Sequence, residues 1–129
     1  KTEIEGSEVA VIALGDFYQL GEEVIKQLKA ELDIKATLIN PRFITGIDKE
    51  LLEGLKANHK AVITLEDGIK DGGFGEKIAE FYSDSDMSVK VYGIKKAFYD
   101  RFKPAELLKE NGLTKEQITE DIKKLLKGE

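Results

Sequence analysis

The chain has 129 residues, of which 41% are hydrophobic and 35% are charged, and its formal net charge at pH 7 is −5. This length suits one domain with a real core, and the acidic balance disfavours nucleic acid or an anionic membrane surface as a partner. The absence of cysteine excludes disulfides and thiolate chemistry, and no apolar run approaches the roughly 18 residues that span a bilayer. We expect a cytoplasmic protein. Because the chain begins at Lys1 and lacks a signal-peptide pattern, we expect residues 1–129 to be a single domain excised from a larger protein.

Short apolar runs predict strands along the chain. Val9 to Leu14 is a continuous apolar run that ends at a glycine, and strands buried on both faces have this composition. By the same reasoning we predict strands at residues 35–40, 61–65 and 89–92, and a short edge strand at residues 2–5.

Between these runs, apolar residues recur at helical spacing. The stripes consist of Leu20, Val24, Leu28 and Leu32; of Leu51, Leu52 and Leu55 after a predicted N-cap at Asp48; of Phe74, Ile78, Phe81 and Tyr82; and of Ile118, Ile122, Leu125 and Leu126. Another helix is predicted between Pro104 and Gly112, and residues 114–117 fit a capping box for the last helix. Strands that alternate with helices predict an α/β domain, a three-layer α/β/α sandwich with a mostly parallel sheet.

Charged residues gather where the predicted strands end, and ligands of open α/β sheets bind beyond those carboxyl ends. These residues are Asp16, Arg42, Glu66, Asp67, Lys95 and Lys96. Turn formation and helix capping explain most of them without a ligand. The adjacent Glu66 and Asp67 point to opposite faces of an extended segment, which makes them a poor acid–base pair. Arg42 is suited to grip a carboxylate or a phosphate, and we favour an ion pair with a neighbouring domain or with one of these two acids.

Three glycines surround Phe74 at the start of the third predicted helix: Gly72, Gly73 and Gly75. They do not form a dinucleotide fingerprint, because Ile78 stands at the third glycine position, and the chain has no P-loop motif. Two interpretations stay open. The backbone amides cradle an anion at a helix N-terminus, or the missing side chains let the helix pack tightly on the sheet; we favour the second.

His59 is the single histidine, and it precedes a strand at a predicted helix C-terminus. The helix dipole favours a cationic imidazole there, but no motif supplies a nucleophile or further metal ligands. Phe98, Tyr99 and Phe102 cluster after the last predicted strand, where they either cap the sheet or form a surface for a partner.

Four segments in order resemble the C-terminal domain of the transketolase superfamily of thiamine-diphosphate enzymes. They are residues 6–15 (GSEVAVIALG), residues 39–43 (INPRF) with Asp48 and Leu51-Leu52, residues 66–68 (EDG) and residues 72–75 (GGFG). Within the superfamily they are most similar to the 1-deoxy-D-xylulose-5-phosphate synthase family. Residues 93–102 keep the Gly-Ile and one Phe of that family but lack its Pro-Asp and His-Gly.

The resemblance implies a five-stranded mixed sheet in which the strand at 2–5 is antiparallel to the others. It also implies a homodimeric parent enzyme that binds thiamine diphosphate and Mg²⁺. That enzyme joins pyruvate, after decarboxylation, to glyceraldehyde 3-phosphate on the way to isoprenoid precursors and thiamine. In such enzymes the cofactor and the catalytic residues belong to the two preceding domains, so we expect an inert, buttressing domain here. Its expected interdomain residues are Arg42, Glu66, Asp67, Gly72, Gly73 and Gly75.

Further hypotheses stay open. The domain resembles those of transketolases and of E1-type 2-oxoacid dehydrogenase β-subunits, and in the latter it would dock a carrier subunit through residues 98–102. A stand-alone domain would instead bind a phosphorylated metabolite at Arg42 and the glycine turn.

Overall fold

A computed structural model describes residues 2–4, 6–14, 17–40, 49–67, 73–94 and 115–127 of the chain. The strands are β1 (Thr2–Ile4), β2 (Glu8–Ala13), β3 (Thr37–Ile39), β4 (His59–Asp67) and β5 (Ser88–Ile94). The helices are α1 (Tyr18–Leu32), α2 (Lys49–Leu55), α3 (Phe74–Phe81) and α4 (Lys115–Leu126). The α/β class is confirmed. The predictions for residues 98–112, and those for Asp48 and Thr114, lie outside the described residues.

The strands form one sheet in the order β1-β3-β2-β4-β5. The short β1 pairs antiparallel with β3, and every other pairing is parallel. The chain passes from β2 to β3 in one direction and then back across β2 to β4 and β5. Since crossovers are right-handed, this reversal places α1 on one face of the sheet and both α2 and α3 on the other.

Each face of the sheet carries its own apolar core, and β2 contributes to both. Val9, Val11 and Ala13 pack with α1 and α4 on one face, whereas Ala10, Ile12 and Leu14 pack with α2 and α3 on the other. An unbroken apolar run is therefore required in β2, because successive side chains point to opposite faces and both faces are covered.

The helical stripes predicted from the sequence face these cores. In α1, Val24 and Leu28 are fully buried, and Leu20 and Leu32 pack at the margin. In α4, Ile118 and Ile122 are fully buried against the same face. Within the described residues no helix is long and apolar enough to cross a membrane.

Candidate functional site at the carboxyl edge of the sheet

Glu66 stands near the carboxyl end of β4, directly after the buried Leu65. It is 3% exposed and lies opposite Gly93 in the parallel pairing with β5. Residues 62, 64 and 66 share one face of β4 because strand side chains alternate, and Val62 belongs to the core beneath α2 and α3. The Glu66 carboxylate thus lies on the sheet face that α3 covers, at the carboxyl end of β4 and under the first turn of that helix.

The Glu66 carboxylate caps α3 from the neighbouring strand. The backbone N–H of Gly75 donates to Glu66 Oε2 at 3.2 Å. The local N-cap is Gly73, whose φ of +95° is left-handed and whose missing side chain makes no capping bond. The first N–H groups of a helix have no partner within the helix, and a negative charge there is favoured by the helix dipole. β4 therefore supplies the cap that the helix lacks.

Gly75 is a point of close approach between α3 and the sheet. A Cβ atom built on it would lie 2.4 Å from Val91 Cγ1 and 2.7 Å from Thr64 Oγ1. By contrast, a Cβ on Gly73 would meet nothing within 4 Å, so Gly73 is required for its φ and Gly75 for its lack of volume. Tight helix–sheet packing, the favoured interpretation of the glycine turn, describes Gly75.

The structure brings two of the six expected interdomain residues, Glu66 and Gly75, into direct contact and places Gly73 beside them. Asp67 ends β4, where it pairs with Ile94, but its side chain lies outside the described part of the chain. Arg42 and Gly72 lie outside it as well, as do Asp16, Lys95, Lys96 and the aromatic cluster at 98–102.

Thr64 is a member of this site that the sequence does not reveal. Its side chain is fully buried under Gly75, and its Oγ1 has no hydrogen-bond partner in the described part of the chain. A buried hydroxyl without a partner costs on the order of 1–3 kcal/mol. In the sequence Thr64 is one β-branched residue within an apolar strand, which is ordinary strand composition.

His59 lies at the opposite, amino edge of the sheet. Its Nδ1 is 3.1 Å from the carbonyl oxygen of Leu55 at the end of α2, and its Nε2 is 2.7 Å from Thr37 Oγ1 at the start of β3. Burial lowers the pKa of His59, although the Leu55 carbonyl and Glu8 act to raise it. The helix end does favour the cationic imidazole through the Leu55 carbonyl, as expected, but desolvation of the ring outweighs this contribution, and the net pKa shift is downward.

The carboxyl edge, as described, offers a fixed carboxylate and a capped helix. Glu66 is engaged by a backbone N–H, which suits positioning of the glycine turn. Among the described residues no group of three His, Asp or Glu side chains is arranged to hold a metal ion. The described residues thus do not fit a divalent cation, and no catalytic step is assigned to them.

The family model described as "Transketolase, C-terminal domain" matches residues 1–118 of the chain. The chain is 40% identical over 121 residues to the 1-deoxy-D-xylulose-5-phosphate synthase of Alkaliphilus oremlandii, which covers 92% of this chain and 19% of that protein. It is 37% identical over 126 residues to the synthase of the same name from Clostridium perfringens, covering 95% of this chain and 20% of that protein. The chain thus spans about a fifth of the length of the curated relatives it matches.

A solved structure with the same fold is that of a split gene transketolase in the form of an inactive β4 tetramer. It superposes with a TM-score of 0.79 and 31% sequence identity, over 98% of this chain and 42% of that one.

Proposed function

The chain belongs to the transketolase C-terminal domain family, and we propose that it is the C-terminal domain of a thiamine-diphosphate-dependent carboligase of the 1-deoxy-D-xylulose-5-phosphate synthase type. The observation that carries this proposal is the identity of 37–40% to synthases over 92–95% of the chain. The parent enzyme would condense pyruvate with glyceraldehyde 3-phosphate, with release of CO₂, and supply isoprenoid precursors in the cytoplasm.

The domain itself would be a structural part of that enzyme. Thiamine diphosphate and Mg²⁺ would be held by the preceding domains of a homodimeric parent, as the resemblance to transketolase-type enzymes implies. The carboxyl edge would face those domains. Glu66 and Gly75 fix the start of α3, and Arg42, Asp67 and Gly72 would complete the interdomain surface.

The test is an assay of the full-length protein that carries this segment. Pyruvate labelled at its carboxyl carbon is supplied with glyceraldehyde 3-phosphate, thiamine diphosphate and Mg²⁺. We expect labelled CO₂ and 1-deoxy-D-xylulose 5-phosphate in equal amounts, and no 1-deoxy-D-xylulose 5-phosphate when the aldehyde is omitted. Residues 1–129 alone should form no product under the same conditions. A full-length enzyme that is folded and loaded with cofactor but forms no deoxyxylulose phosphate would overturn the synthase assignment.

A second candidate is the equivalent domain of a transketolase or of an E1-type β-subunit. The likeness to the split gene transketolase, at 31% identity, favours keeping it. The same assay separates the two, because a transketolase acting on a ketose phosphate would release no CO₂ from pyruvate. An E1-type subunit would release CO₂ but pass the remaining two-carbon unit to a carrier subunit, and no sugar phosphate would accumulate.

A further inference from the structure

A chain of hydrogen bonds at the amino edge of the sheet runs through His59, and its direction follows from the chemistry of its members. The carbonyl oxygen of Leu55 only accepts, so the proton of the neutral ring is on Nδ1. Nε2 is then an acceptor, and the Thr37 hydroxyl donates to it. The oxygen of that hydroxyl in turn accepts from the backbone N–H of Gly6 at 2.9 Å. The neutral imidazole thus orients the hydroxyl that holds Gly6.

These hydrogen bonds hold the bend between β1 and β2, residues 6–8. Gly6 lies so close to β3 that a Cβ on it would be 2.0 Å from the carbonyl oxygen of Lys35. The N–H of Ser7 donates to that same oxygen at 2.8 Å. Glu8 adopts a left-handed φ of 71°, which is uncommon for a residue other than glycine. Surrounding contacts, and not local preference, therefore maintain the bend.

Few charged groups face the imidazole. From β2, the Glu8 carboxylate acts on the ring and is itself paired with Lys60 of β4 at 3.3 Å. From β3 and α2 the ring meets an uncharged hydroxyl and a carbonyl. Protonation of Nε2 would turn it into a donor, so the Thr37 hydroxyl would have to turn its own proton away from the ring and lose that acceptor. The hydroxyl oxygen, which has two lone pairs, would then accept from the cationic ring as well as from Gly6, and sharing the oxygen with this stronger donor would weaken the bond from Gly6.

We propose that His59 acts as a pH switch. The neutral ring holds the bend at residues 6–8 and the edge strand β1 against the sheet, and protonation of the ring releases them. The strand β1 has only three residues and, in the described part of the sheet, pairs with β3 alone. Release of Gly6 would therefore reach the whole of β1. The proposal is independent of the carboligase assignment.

The test combines two NMR measurements on the isotope-labelled chain. Long-range ¹H–¹⁵N correlations of the imidazole report which nitrogen carries the proton, and we expect Nδ1 at about pH 7.5. Amide hydrogen exchange of Gly6 and of residues 2–4, corrected for intrinsic rates, is compared between about pH 7.5 and about pH 5. We expect their protection to fall about fivefold at the lower pH, the scale of one net hydrogen bond. Ile63 in the centre of β4 serves as the internal reference and should not change.

Variants separate the effect of His59 protonation from a general sensitivity of the fold to acid. His59→Gln does not titrate, so the difference between the two pH values should disappear. Thr37→Val removes the hydroxyl and should give fast Gly6 exchange at both pH values, whereas Thr37→Ser should restore the response. The Thr37 pair carries the test if the glutamine variant does not fold. A proton on Nε2 in the neutral ring, or a Gly6 protection that stays constant while His59 titrates, would overturn the proposal.

Discussion

Gly75 shows how a single residue fixes the distance between a helix and the sheet. Replacing it with Ala would place a methyl group 2.4 Å from Val91 Cγ1 and 2.7 Å from Thr64 Oγ1. Both neighbours are β-branched strand residues with little rotamer freedom, so α3 must shift outward, and its bond to Glu66 weakens. We expect Gly75→Ala to lower the free energy of unfolding by about 1–3 kcal/mol, measured as a lower urea midpoint.

Gly54 in α2 is the matched control for this prediction. It is also a helical glycine, but a Cβ on it would meet no atom within 4 Å. Gly54→Ala should therefore be neutral or stabilising by up to about 1 kcal/mol, because alanine restricts the unfolded chain and favours the helix. Equal midpoints for the two variants would contradict the tight packing at Gly75.

At the scale of elements, α4 is more tightly integrated than the family match indicates. That match ends at residue 118, yet Ile122 is fully buried in the core beneath α1 and α4. Beyond residue 118, Asp121 also accepts a hydrogen bond from Tyr92 of β5. Burial and this bond raise the pKa of Tyr92 far above its ordinary value, so the phenol stays protonated as the donor. The second half of α4 is thus part of the folded unit.

Ile122→Ala tests this integration. The substitution deletes three carbons from a fully buried site and should cost about 2–5 kcal/mol of unfolding free energy. Lys124→Ala, on the exposed side of the same helix, should change the unfolding free energy by less than about 0.5 kcal/mol. The measurement is chemical denaturation of both variants beside the unsubstituted chain. An Ile122→Ala midpoint equal to that of Lys124→Ala would mean that α4 does not contribute to the core.

The elements themselves could be predicted because their signals are local. The run Val9 to Leu14 has no polar residue, and β2 is found at Glu8–Ala13. The run at residues 61–65 lies within β4, which extends to Asp67. By contrast, the predicted strand at 35–40 is found only as Thr37–Ile39, because boundaries depend on which neighbouring backbone is available for pairing.

The contacts that build the sites could not be predicted in the same way. The Tyr82 hydroxyl donates to the Leu52 carbonyl across 30 positions, and Thr37 meets His59 across 22. Such contacts cannot be recognised in the sequence, because each residue is of a type that is common in its helix or strand. Tight packing at Gly75 could be predicted because a glycine at the start of a helix is recognisable in the sequence. The capping role of Glu66 could not, because it depends on where β4 ends relative to α3.

The whole molecule has one histidine, and this makes its stability a direct readout of that residue between about pH 5 and 7. The folded-state pKa of His59 lies below its ordinary value of 6.5, so the unfolded chain binds more protons in this range. The contribution of His59 to the free energy of unfolding is therefore fully present above about pH 6.5. It declines as the pH falls below that value and levels off below the folded-state pKa.

We expect urea midpoints measured across this window to fall towards lower pH for the unsubstituted chain and to be flat for His59→Gln. Exposed Glu31 and Asp33 have pKa values that are lowered by the nearby Lys123 and Lys29. Their contribution to stability is therefore lost only as the pH falls below their ordinary pKa values of 4.5 and 3.8. If the two chains lost stability in parallel between about pH 6.5 and 5, the proton uptake would arise outside His59. The amino edge of the sheet would then not respond to pH in this range.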